Sequence, residues 1–327
     1  MSELPGRSCP IRYRYGAAAI AAVPLQTADT LYVIGGLYGN VESLKTIEAM
    51  AAQESGPVRL CFNGDFNWFN VLPDDFEAIN QSVLRHDASL GNVEAELAAG
   101  DLSVGCGCAY PEEVSDGVVD RSNRIFERLL LTATQSPKVT TALAKLPMVR
   151  RYQVGQLRVG VVHGDYEALA GWNFDVAALS ESCKTDHVNH RALVQAFADA
   201  QVDLFASSHT CLPALVSVYH QSGLKAVINN GAAGMPNFSG QTDGLITRIS
   251  SQGASPEALY GAKINGIFIE ALPVKFDQGA WQARFLRAWP AGSDAYESYF
   301  ERIRQGPNFS PKQAMLSNVA QELAYSD

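Results

Sequence analysis

Six short runs of β-forming residues recur along the chain, and each ends at a turn marked by Gly, Asn, Asp, Ser or His: TLYVIGG (30–36), VRLCFNGD (58–65), ASLGNVE (88–94), LRVGVVHGD (157–165), VDLFASSHT (202–210) and KAVINNGAAG (225–234). Between them, NVESLKTIEAMAAQ, DDFEAINQSVLRH, RSNRIFERLLLTA and HVNHRALVQAFADA have helical spacing. Strands alternating with helices confine the chain to an α/β architecture in which the ends of separate strands can meet at one edge. From Asp243 onward the character changes to hairpin-like strands, GLITRIS and NGIFIEALPVKFD, followed by AWQARFLRAW. The simplest division is an N-terminal segment (1–29), one α/β domain (30–289) and a C-terminal appendage (290–327).

Composition removes several classes of function. With 34 acidic against 25 basic side chains the formal charge is −9, and no basic run is present to neutralise a phosphate backbone, so nucleic acid is not expected as the main partner. No stretch approaches the ~20 apolar residues of a membrane span. RYRYGAAAIAAVPL (12–25) mimics a secretory signal, but its apolar run is broken by Pro24 and poor in leucine. Six cysteines scattered through 327 residues predict reduced thiols and a cytoplasmic location.

The strand ends carry the chemistry. Asp65, Asn92, His163 and His209 each follow a β-run, and each offers an oxygen or an imidazole nitrogen suited to a divalent ion. Singly, each has a plainer reading as a cap, a turn residue or a packed histidine. Together they form an ordered set. The first strand end is different: IGGLYGN has no carboxylate, imidazole or thiol.

The series GLYGN (36–40), GD (64–65), GNV (91–93), HG (163–164), SHTC (208–211) and NNGA (229–232) resembles the strand-end motifs of the calcineurin-like metallophosphoesterases, over roughly residues 30 to 240. The resemblance implies a four-layer sandwich of two mixed β-sheets flanked by helices. It also implies that Asp65, Asn92, His163 and His209 are the ligands of one metal. Three of the four ligands of the family's other metal are replaced, since the corresponding positions are Gly36, Tyr38, Asp65 and Cys211, and the histidine of the family's Gly-Asn-His motif is Val93. The expectation is therefore a phosphomonoesterase or phosphodiesterase with one firmly held manganese, iron or zinc ion, a metal-activated water as nucleophile, and a phosphorylated small molecule or other phosphoester as substrate. Asn92 and Asn40 are its catalytic candidates, with Asn40 near a substrate oxygen. The alternative is a metal- or ligand-binding protein that kept the fold and lost hydrolysis.

Residues outside this pattern could remodel the first position. Tyr38 could supply a phenolate, and Cys211, with Cys106 and Cys108 of GCGCAYP, thiolates for a softer metal; the plainer reading of the Cys-x-Cys pair is small apolar filler. Trp68 and Tyr38 are candidates for a substrate pocket, although Trp68 and Phe69 read equally well as core contacts at a helix start. His187 and His190, at i and i+3, read as a solvated helix face.

Overall fold

Strand pattern and burial together explain the layers. A computed structural model describes residues 5–316. Its strands are β1 (Leu25–Ala28), β2 (Thr30–Ile34), β3 (Val58–Asn63), β4 (Asp87–Ser89), β5 (Val149–Val154), β6 (Leu157–Val162), β7 (Leu204–Ser207), β8 (Pro213–His220), β9 (Gly223–Asn230), β10 (Gly244–Ser250), β11 (Tyr260–Ile264) and β12 (Ile267–Val274). One six-stranded sheet has the order β1-β5-β6-β7-β9-β8 and the other β11-β12-β10-β2-β3-β4, and both mix parallel with antiparallel pairs.

The two-residue period of each strand divides its side chains between two cores. In β2 every residue is buried: Leu31 and Val33 face the space between the sheets, while Tyr32 and Ile34 face helices on the outer side. Strand β6 repeats the division, with Val159 and Val161 inside and Val162 against the outer helices. The outer core over the second sheet takes in the helices Val41–Gln53, Pro73–Val83 and Asp116–Ala133. It continues into the helices Gln278–Ala288 and Asp294–Gln305 through Trp281, Phe285, Ala295 and Ile303. The result is two mixed β-sheets flanked by helices, the architecture implied by the strand-end motifs. Among the described residues no helix is long and apolar enough to cross a membrane.

An ion cluster fixes the alignment of the strands that end in histidine. Asp203, just before β7, accepts from the backbone N–H of Arg158 in β6 at 2.9 Å and pairs with the Arg158 guanidinium at 3.1 Å. It also pairs with Lys225 of β9, itself buried. The cluster lies at the start of these parallel strands, so their far ends, at His163 and Ser208, come out level. Burial alone would raise the Asp203 carboxyl, but hydrogen bonds from Arg158 and Lys225 outweigh it and hold the group below the usual carboxylate range. A depressed carboxyl contributes stability above its unfolded pKa of about 3.9 and loses it as the pH falls through the folded value. Asp203→Asn leaves Lys225 buried without its counter-charge and is expected to cost about 3 kcal/mol at neutral pH. The gap in urea midpoint between variant and wild type should then shrink as the pH falls below about 3.9, and a gap that does not narrow on acidification would show that the cluster is not the source.

Candidate metal centre

Two loops meet backbone to backbone to form the floor of the site. Gly91 ends the turn after β4, and a Cβ built there would stand 2.2 Å from Asp65 Oδ1 and 2.5 Å from Asp65 N, so no side chain fits. Glu94, wholly buried in the first turn of the helix Asn92–Ala99, accepts N–H groups from Asp65 (2.6 Å), Phe66 (3.1 Å), Asn67 (3.2 Å) and Gly91 (3.2 Å). Burial, together with the Asp65 charge, pushes the Glu94 carboxyl up to about 7. The same helix is tied to the N-terminal segment: Tyr13 donates to Asn92 O at 3.3 Å, and Arg12 pairs with buried Glu96.

Asp65, His163 and His209, each buried, have ligand atoms within 4.8 Å of one another. His163 Nδ1 lies 2.8 Å from Asn63 O, an acceptor, which puts the proton on Nδ1 and leaves a lone pair on Nε2. His209 Nε2 lies 3.1 Å from Cys108 O, which leaves the lone pair on Nδ1. Asn92 donates through Nδ2 to Cys106 O at 2.9 Å, so its Oδ1 turns inward. Around His163 Nε2 therefore stand Asn92 Oδ1 and His209 Nδ1, both at 3.2 Å, and Asp65 Oδ2 at 3.3 Å.

Four lone-pair atoms facing one another repel unless a positive charge sits among them. Burial disfavours charge on His163, but the Asp65 carboxylate outweighs it and raises the imidazole pKa, so one proton can fill this role. Burial and the neighbouring His163 push His209 down to about 3, which keeps it neutral. A divalent cation satisfies all four atoms at once, and two imidazoles with two oxygens suit manganese, iron or zinc better than magnesium.

The first strand end is filled by protein. A Cβ on Gly36, whose φ is +64°, would lie 2.8 Å from Tyr38 Cζ, so the Tyr38 ring takes the room that a side chain at 36 would need. The Tyr38 hydroxyl is 2.9 Å from Cys211 Sγ. Burial, with the nearby Cys211 and Asp65, drives the Tyr38 phenol far above its ordinary value, so with no cation beside it the hydroxyl stays protonated. Tyr38, Asp65 and Cys211 all have left-handed backbone, with φ of 54°, 52° and 60°.

Several expectations need correction. Cys106 and Cys108 form a disulfide, so neither is a free thiolate ligand, nor are all six thiols reduced. Their loop acts through its carbonyls, which orient Asn92 and His209. Asn40 does not face the site. It is buried as a helix cap, its Oδ1 accepting from Glu42 and Ser43 N–H and its Nδ2 donating to Gly234 O at 2.9 Å, and it does not line the cavity. His187 also caps a helix, accepting from Asn189 N–H.

Three of the four candidate ligands, Asp65, Asn92 and His209, line a cavity of about 310 Å³ together with Val93. Trp68 and Tyr38 line it as well, whereas Phe69 packs into the core against Phe285 and Tyr299. Tyr110, Trp172, Tyr299 and Arg121 are also among its lining and were not apparent as site residues in the sequence. Glu94 did leave a signal, since GNVE has an acidic residue at the third helical position, where it can reach back to the preceding N–H.

Comparison with solved structures finds a metallophosphoesterase from Sphaerobacter thermophilus, 15% identical with a TM-score of 0.53 over 86% of this chain and 100% of that one. It also finds a hypothetical protein from Pyrococcus horikoshii OT3, 13% identical with a TM-score of 0.54 over 87% of this chain and 100% of that one. No protein-family model and no curated protein matches the sequence. The shared feature is the fold: this chain has the two-sheet metallophosphoesterase sandwich.

If the four lone-pair atoms form a metal site, calorimetry with manganese or zinc should give one binding event. Saturating ion at about one hundred times Kd should add roughly 2.7 kcal/mol of stability. His163→Ala should abolish both effects while the metal-free protein still unfolds cooperatively. Unchanged stoichiometry in that variant would remove His163 from the site.

Proposed function

We propose that this chain is a calcineurin-like metallophosphoesterase that hydrolyses a phosphomonoester or phosphodiester with one firmly held divalent ion. The observation that carries the reading is the convergence of Asp65 Oδ2, Asn92 Oδ1, His163 Nε2 and His209 Nδ1 at the end of a cavity open to a small molecule. Those four residues would hold the ion. When bound, such an ion polarises a phosphoryl oxygen and acidifies a coordinated water. The chain's own contribution is orientation and exclusion of water. Asn63 O and Cys108 O fix the two imidazole tautomers, Cys106 O fixes the Asn92 amide, and Val93 N–H holds Asp65 Oδ1 at 3.2 Å. The substrate is a phosphorylated small molecule. A cytoplasmic setting belongs to this reading through the four cysteines that remain free thiols (Cys9, Cys61, Cys183 and Cys211), and the Cys106–Cys108 disulfide weighs against it.

The filled first position favours a second reading, a metal-binding protein with little or no turnover, because Tyr38 and Cys211 occupy the place of a second ion. Turnover of aryl phosphate monoesters and diesters by manganese-, iron- or zinc-loaded protein decides between the two. No hydrolysis by protein carrying one equivalent of metal would favour the second.

The packing of Tyr38 against Gly36 also predicts a non-additive pair of substitutions. Gly36→Asp alone forces a side chain into the Tyr38 ring at a left-handed position and should destabilise the protein without adding a metal. Gly36→Asp with Tyr38→His removes the ring and should show a second binding event in calorimetry, with phosphatase activity raised about tenfold or more. Two binding events in the wild type would overturn this account of the first strand end.

A further inference from the structure

The cavity wall is aromatic, and its aromatics come from separate parts of the chain. Trp68 follows β3, Tyr110 follows the disulfide loop, Trp172 lies beyond His163, and Tyr299 lies in the helix Asp294–Gln305. Tyr110 and Trp172 are in ring contact at 6.1 Å, and Trp172 meets the His209 ring edge-on at 5.2 Å, so an aromatic surface runs directly from the metal ligands. Among the described residues the lining holds a single cation, Arg121, whose Nε donates to Ser298 Oγ at 2.7 Å, beside the carboxylate of Glu297. A chain of phosphates would meet one guanidinium and one opposing carboxylate. At about 310 Å³ the cavity is at the small end of ligand pockets, with room for a phosphoryl group and one ring system.

The same wall has little with which to protonate a leaving group. His209 already donates its ring N–H to Cys108 O, Cys108 is in a disulfide, Val93 is apolar, and the Cys211 thiol and Tyr38 hydroxyl are engaged with each other at 2.9 Å. The Tyr110 and Tyr299 phenols are raised by burial, which makes them poorer acids than usual. A phenol, with an ordinary pKa of about 10, departs as its anion far more readily than an aliphatic alkoxide, which is nearly as basic as hydroxide.

Building on the phosphoesterase reading above, we propose that the substrate is a phosphoester of a single aromatic alcohol, with the ring against Trp172, Tyr110 and Tyr299 and the phosphoryl group at the Asp65, Asn92 and His209 end. In the reaction a water oxygen bonds to phosphorus, and the bond from phosphorus to the aryl oxygen breaks. The electron pair leaves on the phenolate and the water proton passes to solvent. Nothing is oxidised or reduced.

The test compares kcat/KM of manganese-loaded protein for p-nitrophenyl phosphate, phenyl phosphate and glycerol 3-phosphate, and inhibition by phenylphosphonate against methylphosphonate. Phenyl phosphate should exceed glycerol 3-phosphate by about one hundredfold or more, and phenylphosphonate should inhibit about tenfold more tightly than methylphosphonate, the scale of one aromatic contact. Trp172→Ala should raise KM for phenyl phosphate about tenfold with metal stoichiometry unchanged. Equal turnover of the aryl and alkyl esters, or equal inhibition by the two phosphonates, would overturn the aromatic assignment and leave the phosphoesterase reading standing. Failure to hydrolyse even p-nitrophenyl phosphate with metal bound would overturn both. The phosphonate comparison needs no variant, so a Trp172→Ala protein that fails to fold does not blunt the test.

Discussion

The site depends on one buried carboxylate that never reaches the cavity. Glu94 gathers backbone N–H groups from the turn after β3 and from the turn after β4, so two loops that share no sheet hydrogen bonds at that level are held as one body. Asp65 is carried by one loop and Asn92 by the other, and their separation is set by that bridge. The absence of a side chain at Gly91 is the steric half of the same arrangement, because the loops touch where a Cβ would be.

The two sheets are tied together at this edge as well as by their apolar faces. Asn63, the last residue of β3, donates through Nδ2 to Val162 O at 2.7 Å and receives His163 Nδ1 on its own carbonyl, so one residue of one sheet fixes a ligand of the other. Asn230 donates to Gly35 O and Leu245 O, and Ala233 and Gly234 donate to Gly35 O and Gly36 O, which pins the turn after β2. Left-handed backbone at non-glycine residues costs on the order of 1–3 kcal/mol each and persists only where the surroundings over-determine it. Such constraint is visible at all three: Tyr38 N–H donates to Asp65 O, and Cys211 donates its N–H to Ser208 O and accepts from Arg302 on its carbonyl.

Much of this was legible in the chain. The β-runs and their polar ends are local patterns, and their order names the residues that meet at one edge, because parallel strands in one sheet all end on the same side. Strands β1, β8 and β11 were not read, being edge elements without a marked turn, and β5, a mostly buried strand inside its sheet, was missed because no polar turn marks its end. The Cys106–Cys108 disulfide was read as filler or as ligands, since spacing alone does not say which atoms of a loop face the site. Asn40 was misread because a helix cap and a substrate contact look alike in sequence. Trp172 and Tyr299 were missed for a different reason: a wall assembled from segments more than a hundred residues apart leaves no local signature.

The two imidazoles rest their outer N–H groups on peptide carbonyls, Asn63 O and Cys108 O, and not on carboxylates. Carboxylate partners would feed negative charge through the rings and make the inner nitrogens more basic. With neutral partners, and with Glu94 engaged by backbone N–H groups, Asp65 is the only anion among the four donors. A divalent ion in such a shell would keep a net positive charge and strong Lewis acidity, and that residual charge would fall on an anion entering through an aromatic channel with a single arginine. Any such effect would be set by the hydrogen-bond partners of the histidines, one layer behind the four donor atoms.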